Sequence, residues 1–193
     1  ALGTPEITLV EMVGAMNTFS NKGVFIKPYF VTRIEDKHGN LIERFVPEQS
    51  EALDEVTAYK MIQLMKGVVE SGTGVRLRSK YDMRNPIAGK TGTTQNQSDG
   101  WFMGLTPEIT TGVWTGAEDR AAHFRSIKLG QGANMALPIW ALYMQKVYND
   151  PVLNIRKDDF ERPVTDAQID FPCVESDDPT SGNAAISREE DDF

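Results

Sequence analysis

Cysteine is nearly missing from this chain, with Cys173 the one example in 193 residues. A lone thiol closes no internal disulfide, so cross-linking gives no sign of a redox compartment, and the plain reading of Cys173 is an unpaired thiol in a polar segment. Long apolar runs are also lacking. None approaches the 18 or so residues that a membrane-spanning helix needs, and no signal-peptide pattern opens the sequence. A basic excess is absent too: 20 Lys and Arg stand against 28 Asp and Glu, which excludes an electrostatic footprint for nucleic acid. Histidine occurs twice. His38 falls in a turn-rich stretch and His123 in a polar loop, where exposed side chains are ordinarily solvated rather than catalytic.

The acidity that is present belongs to one end. Residues 150–193 hold 13 acidic and 4 basic side chains, while residues 1–149 hold 15 and 16, close to neutral. The run Glu189-Glu190-Asp191-Asp192 and the Asp/Pro/Ser/Gly composition of 176–183 match segments that fail to bury a core. Residues 150–193 are therefore read as an acidic, disordered tail, and residues 1–149 as the folded part. With 40% apolar residues the chain has enough for a core.

Three helices and two groups of strands emerge from the pattern. Thr4 as cap and Pro5 in the first turn predict a helix whose face carries Leu9, Val13 and Met16 and which ends near Asn21-Lys22-Gly23. A hairpin is expected within 27–47, because Tyr29–Ile34 and Leu41–Phe45 flank the turn sequence Asp36-Lys37-His38-Gly39-Asn40. A second helix begins at Asp54, lines up Val56, Tyr59, Ile62, Met65 and Val69, and stops at Gly72. The basic residues Arg76, Arg78, Lys80 and Arg84 read as a solvated loop. Strands over 87–94, 101–105 and 110–115 have the short connections of an antiparallel sheet. Residues 118–134 read as loop, and a last helix over Leu137–Tyr148, with Pro138 in its first turn, is apolar nearly all round and should be well covered by that sheet. Trp101, Phe102 and Trp114 are assigned to the core, and Asp99 to local capping or pairing with no catalytic role.

One strand carries chemistry. Gly89-Lys90-Thr91 copies the end of a phosphate-binding loop, but that loop needs a glycine five positions earlier, where Arg84 stands. The next residues, Gly92-Thr93-Thr94 and then Trp101-Phe102-Met103, are strand-like rather than the start of a helix. The remaining reading is the Lys-Thr-Gly element of serine acyl-transfer enzymes that react with penicillin.

Further segments support that reading: Gly3 to Thr8 with Glu11-Met12, Phe19 to Gly23, Gly72-Thr73-Gly74, Ala88 to Gln95, Asp99 to Gly104, Val113 to Gly116 and Pro138-Ile139-Trp140. Over roughly its first 148 residues the chain resembles the transpeptidase domain of class A, bifunctional penicillin-binding proteins. The resemblance implies an α+β fold, an antiparallel sheet with flanking helices that forms part of the penicillin-binding protein and serine β-lactamase architecture. The family's S-x-x-K nucleophile motif matches no serine here, and its S-x-N motif occurs only as Ser181-Gly182-Asn183, downstream and in the wrong order. The chain is thus expected to be the C-terminal part of a larger enzyme, inactive alone.

The same resemblance gives roles. Lys90 sets the electrostatics of the nucleophile's pocket; Thr91, Thr93 and Thr94 bind substrate, the first two at its terminal carboxylate; Gly92 leaves space for the serine's helix; and the Thr93 N–H joins the oxyanion hole. It implies a stem peptide ending in D-Ala-D-Ala, β-lactams and the rest of the domain as partners. It implies no cofactor, metal or nucleic acid, and a place on the extracytoplasmic face of the cytoplasmic membrane, anchored by an upstream segment. A parent that is also a glycosyltransferase is implied as well. Two other readings share the strand: a β-lactamase or D,D-carboxypeptidase, in which water is the acceptor, and a non-catalytic sensor or scaffold.

Overall fold

The computed structural model describes residues 6–164. In chain order the elements are α1 (Leu9–Ser20), β1 (Val24–Ile26), β2 (Arg33–Glu35), β3 (Leu41–Arg44), β4 (Gln49–Glu51), α2 (Glu55–Glu70), α3 (Arg76–Ser79), β5 (Ala88–Thr93), β6 (Asp99–Leu105), β7 (Thr110–Gly116), α4 (Ile127–Gly130) and α5 (Gly132–Asn149).

Local chemistry sets several of these boundaries. Helix α1 is capped by Thr8 rather than Thr4, which with Pro5 lies outside the described residues. The Thr8 hydroxyl accepts the Glu11 N–H at 3.3 Å and the Glu11 carboxylate accepts the Thr8 N–H at 2.8 Å, a reciprocal box that satisfies two orphan donors. Asp54 caps α2 as expected, accepting the Thr57 N–H at 2.9 Å. The 27–47 hairpin forms as β2 against β3, with Asp36 accepting the N–H groups of His38 and Asn40 at its tip. Its base is closed by a second pair, β1 with β4, that residue pattern does not announce.

Strands β5, β6 and β7 form an antiparallel sheet in that order, so β5 is an edge. Side chains alternate across it. Gly89, Thr91 and Thr93 share one face with Phe102, and Lys90 and Gly92 share the other with Trp101 and Trp114. Helix α5 covers the first face. Trp140 is fully buried there, its ring edge-on to Phe102 at 5.2 Å and its indole N–H donating to the Thr111 hydroxyl. Val69, Leu77, Ile87 and Met144 complete that core. The second face packs Ala88 and Leu105 against Ile62 and Met65 of α2, with Met16 and Phe19 of α1.

Three expectations change. Helix α5 starts five residues before Leu137, so Pro138 lies inside it and removes the N–H that would have reached the Asn134 carbonyl. Only one side of α5 meets the sheet, leaving Ile139, Leu142 and Tyr143 about half exposed, at 51%, 56% and 49%. Residues 150–164, assigned to the tail, instead lie back across α1 and α2. Phe160 is buried with Ile62, Asp159 pairs with Lys66 at 2.7 Å, and Glu161 pairs with Lys22 at 2.9 Å. Burial of one aromatic ring and two ion pairs outweighs the polar composition locally. The rest of the expected tail, with Cys173, lies outside the described residues.

The basic cluster also differs from a solvated loop. Its middle forms α3, and the Arg78 side chain is 12% exposed, pairing with Glu70 at 2.6 Å and donating to the carbonyls of Met83 and Asn85. Arg78→Ala leaves those carbonyls without their donor. A loss of about 2 kcal/mol of stability is expected in urea unfolding, the scale for stranding partly buried acceptors. The hydrogen bond from Arg78 holds the Glu70 carboxylate below its ordinary range. A depressed carboxylate stabilises the fold above its unfolded value and loses that contribution as pH falls through the folded one. Arg78→Ala should therefore also flatten the acid limb of the stability profile.

Candidate active site

An open cleft of about 1370 Å³ lies on the face of the sheet that carries Lys90. Lys90, Gly92, Trp101 and Trp114 line it from the sheet, Met12 and Met16 from α1, and Asp99 and Arg120 from one end. A smaller hollow of about 440 Å³ sits under residues 156–161, and its ionic groups are already spent on one another. Lys22 pairs with Glu55 and Glu161, and Arg156 with Glu108 and Asp158. The larger cleft is therefore the candidate site.

Sheet register decides which groups on β5 are available. The Thr94 N–H donates to the Asp99 carbonyl at 3.2 Å, which makes residues 94 and 99 a hydrogen-bonded pair. Such pairs alternate in an antiparallel ladder, so Thr93 opposite Gly100 is a non-bonded pair and its N–H points away from β6. Because β5 is an edge strand, that N–H has no backbone hydrogen-bond partner among the described residues. Thr91 has the same orientation, and its outward carbonyl accepts the Lys90 Nζ at 2.8 Å, leaving the ammonium two further protons to donate.

The hydroxyls differ in how far they are engaged. Thr91 Oγ1 lies 2.7 Å from Thr73 Oγ1, in the turn after α2. Thr93 Oγ1 accepts the Gly132 N–H at 2.9 Å, so its own proton remains free to donate. Gly132 is required there: a Cβ would stand 2.2 Å from the Gly92 carbonyl oxygen and 2.6 Å from that of Trp101. Thr94, expected to contact substrate, lines the cleft, and its hydroxyl also holds the β5–β6 turn, 3.0 Å from Ser98 Oγ and accepting the Asp99 N–H at 3.1 Å. In that turn Asn96 and Gln97 hold φ of 60° and 53°, a left-handed pair costing on the order of 1 kcal/mol each.

The remaining candidates sort by position. One Asp99 carboxylate oxygen is 3.8 Å from the Arg120 guanidinium, and the other is buried with no hydrogen-bond partner among the described residues. Trp114, assigned to the core, is 42% exposed in the cleft. His38 and His123 are exposed and belong to their own turns, apart from Lys90. Neither Thr73, although it belongs to the Gly72-Thr73-Gly74 segment of the resemblance, nor Arg120 was expected at the site. The Gly72-Thr73-Gly74 motif was the signal for Thr73, which the fold sets beside Thr91, whereas an arginine in a polar loop carries none.

A family model described as the penicillin-binding protein transpeptidase domain matches residues 1–119. The chain belongs to that family. Similar relatives include penicillin-binding protein 1A of Aquifex aeolicus, 38% identical over 147 residues, covering 76% of this chain and 19% of the relative. Penicillin-binding protein 1A of Neisseria lactamica is 35% identical over 150 residues, covering 75% and 18%. The chain thus spans about a fifth of the length of these curated relatives. Among solved structures, penicillin-binding protein 1A from Haemophilus influenzae superposes with a TM-score of 0.73 at 21% identity, over 84% of this chain and 29% of that one. Penicillin-binding protein A from M. tuberculosis, as its imipenem acyl-enzyme, gives 0.57 at 23% identity, over 75% and 32%. The antiparallel sheet with flanking helices is the family's fold.

Proposed function

We propose that this chain is the Lys-Thr-Gly half of a penicillin-reactive D,D-transpeptidase site, completed by a serine outside residues 1–193. The observation that carries the reading is the Lys90–Thr93 edge strand, with its free Thr93 N–H beside an open cleft. In the first step the serine hydroxyl attacks the carbonyl of the penultimate D-Ala; an ester forms, the peptide bond breaks, and the terminal D-Ala leaves as its amine takes a proton. In the second, an amine of a neighbouring stem peptide attacks the ester, forms the cross-link and returns the proton to serine.

Each β5 group has work in those steps. The Thr93 N–H donates to the oxyanion, where the charge develops. The hydroxyls of Thr91 and Thr93 donate to the substrate's terminal carboxylate, and the Lys90 ammonium adds a compact positive charge. Gly92 presents no side chain to the cleft, which leaves room on the face where the serine's helix would approach. The same groups would take a β-lactam, whose carboxylate and strained carbonyl mimic the D-Ala end.

The complete protein is read as a class A enzyme with a glycosyltransferase domain, anchored at the extracytoplasmic face of the cytoplasmic membrane by an upstream segment. No helix among the described residues is long and apolar enough to cross a membrane. The transpeptidase portion of this chain is read as residues 1–149, extended to residue 164 by the segment that packs on α2 through Phe160. The test is to label the complete protein with a fluorescent β-lactam, digest it and locate the ester by mass spectrometry. The label is expected on a serine outside residues 1–193, with no adduct on this chain alone; an adduct on any residue of the chain overturns the reading.

A further inference from the structure

We infer that Thr73, in the turn after α2, is a positioning residue for substrate binding: its hydroxyl donates to Thr91 Oγ1 and so frees the Thr91 proton for the substrate's terminal carboxylate. The inference rests on the D,D-transpeptidase reading and names what prepares one of its donors. A threonine hydroxyl has one proton to give and lone pairs to receive. The Thr73 and Thr91 oxygens lie 2.7 Å apart, a good O–H···O distance, and either can be the donor. Neither has another hydrogen-bond partner among the described residues. If Thr91 donates, only its lone pairs face an incoming carboxylate, which accepts and never donates. If Thr73 donates, the Thr91 proton is free. A bound carboxylate therefore selects the second arrangement, and the aligned chain from Thr73 through Thr91 to the anion strengthens each of its bonds. Thr93 is prepared in the same way. The Gly132 N–H, which can only donate, meets Thr93 Oγ1 at 2.9 Å and leaves that proton to give. Both hydroxyls assigned to the carboxylate are thus backed by a donor, one from the turn after α2 and one from the start of α5.

The fold fixes Thr73 in that place. The Gly74 N–H donates to the Val68 carbonyl at 2.9 Å and the Val75 N–H to the Gly72 carbonyl at 3.1 Å, which ties the turn to the end of α2. The flanking glycines permit the close approach: a Cβ on Gly72 would stand 2.9 Å from the Val68 Cα, and one on Gly74 would stand 3.2 Å from the Val68 carbonyl oxygen. Val69 in turn packs α2 against β5 where Gly89 leaves space, since a Cβ there would lie 3.3 Å from Val69 Cγ2. Helix α2 therefore carries the Thr73 hydroxyl to a residue 18 positions away in the chain. Thr73 is exposed and is not among the residues lining the cleft, so it acts on substrate through Thr91, and its replacement empties no core site.

Stopped-flow acylation of the complete enzyme by a chromogenic cephalosporin, and by its methyl ester, tests this. Thr73→Val keeps the shape of the side chain and loses the hydroxyl. It is expected to weaken binding of the free acid about tenfold, the scale of one hydrogen bond to a charged group. The acylation step itself should be unchanged, because the carboxylate contact is the same before and during attack. The methyl ester, which has no carboxylate to receive the proton, should react equally with wild type and variant. Thr73→Ser should restore the wild-type affinity. Added to Thr91→Val, Thr73→Val should bring no further loss, since it acts through that hydroxyl. Wild-type affinity in Thr73→Val, an equal loss for acid and ester, or additive losses in the double variant each overturn the inference while the wild-type enzyme still acylates. A wild-type enzyme that is not acylated at all overturns the transpeptidase reading and the inference with it, so the two failures are distinct.

Discussion

Thr93→Pro in the complete enzyme is expected to lower the second-order rate of β-lactam acylation by about 10²–10³-fold, the loss that accompanies removal of one oxyanion donor. The substitution deletes an N–H that points out of the sheet, so it removes no ladder hydrogen bond, and edge strands are where proline is tolerated. It also removes the hydroxyl that accepts the Gly132 N–H. Thr93→Val separates the two effects, since it keeps the backbone donor and loses only the hydroxyl; on the order of tenfold is expected for it, the worth of one hydrogen bond to a charged group. Stopped-flow acylation with a chromogenic β-lactam measures both. Wild-type acylation by the proline variant, with its melting transition intact, would remove Thr93 from the oxyanion hole.

Trp140→Ala is expected to cost about 3–5 kcal/mol, the range for emptying a buried aromatic site. Set against the roughly 5–15 kcal/mol that holds a typical domain together, that is enough to leave a marginal fold largely open. Trp140 is fully buried between α5 and the sheet, and three contacts fix it: the edge-on Phe102 ring, the Thr111 hydroxyl, and Gly104, where a Cβ would stand 2.3 Å from the indole. The hole could not close by a small shift, because the surrounding residues belong to three strands and a helix that are themselves packed. Urea unfolding followed by circular dichroism reads the loss. Trp140→Phe, which keeps most of the ring but not the N–H donor, should fall well short of it, and equal losses for the two variants would mean that the hydrogen bond, not the packing, holds α5 in place.

How far the fold was legible depended on where the deciding interaction lay. Asp54 and the apolar spacing of Ile62, Met65 and Val69 were enough for α2, because a cap and a buried face are properties of neighbouring residues. The three sheet strands were readable for the same reason, since alternation and short turns lie within a few residues of each other. At the start of α1 two local signals compete, Thr4 with Pro5 and the capping-box spacing of Thr8 and Glu11, and the box sets the helix start because it satisfies two donors at once. Arg78 could not have been read. A buried guanidinium and a solvated one look alike until Glu70, Met83 and Asn85 are brought around it.

By itself the sequence determined the family, through motifs in order along the chain, and the strand Lys90 to Thr93 with its alternating faces. It also determined that no serine here carries a lysine three residues on. Only the tertiary structure decided that β5 is an edge, that the Thr93 N–H therefore has no strand partner among the described residues, that α5 begins at Gly132 against that strand, and that residues 150–164 fold back onto α2 through Phe160. The reason is physical: composition and periodicity report what a residue prefers among its neighbours, whereas register, edges and close approach are set by contacts between segments 39 residues apart, as Thr93 and Gly132 are, or more.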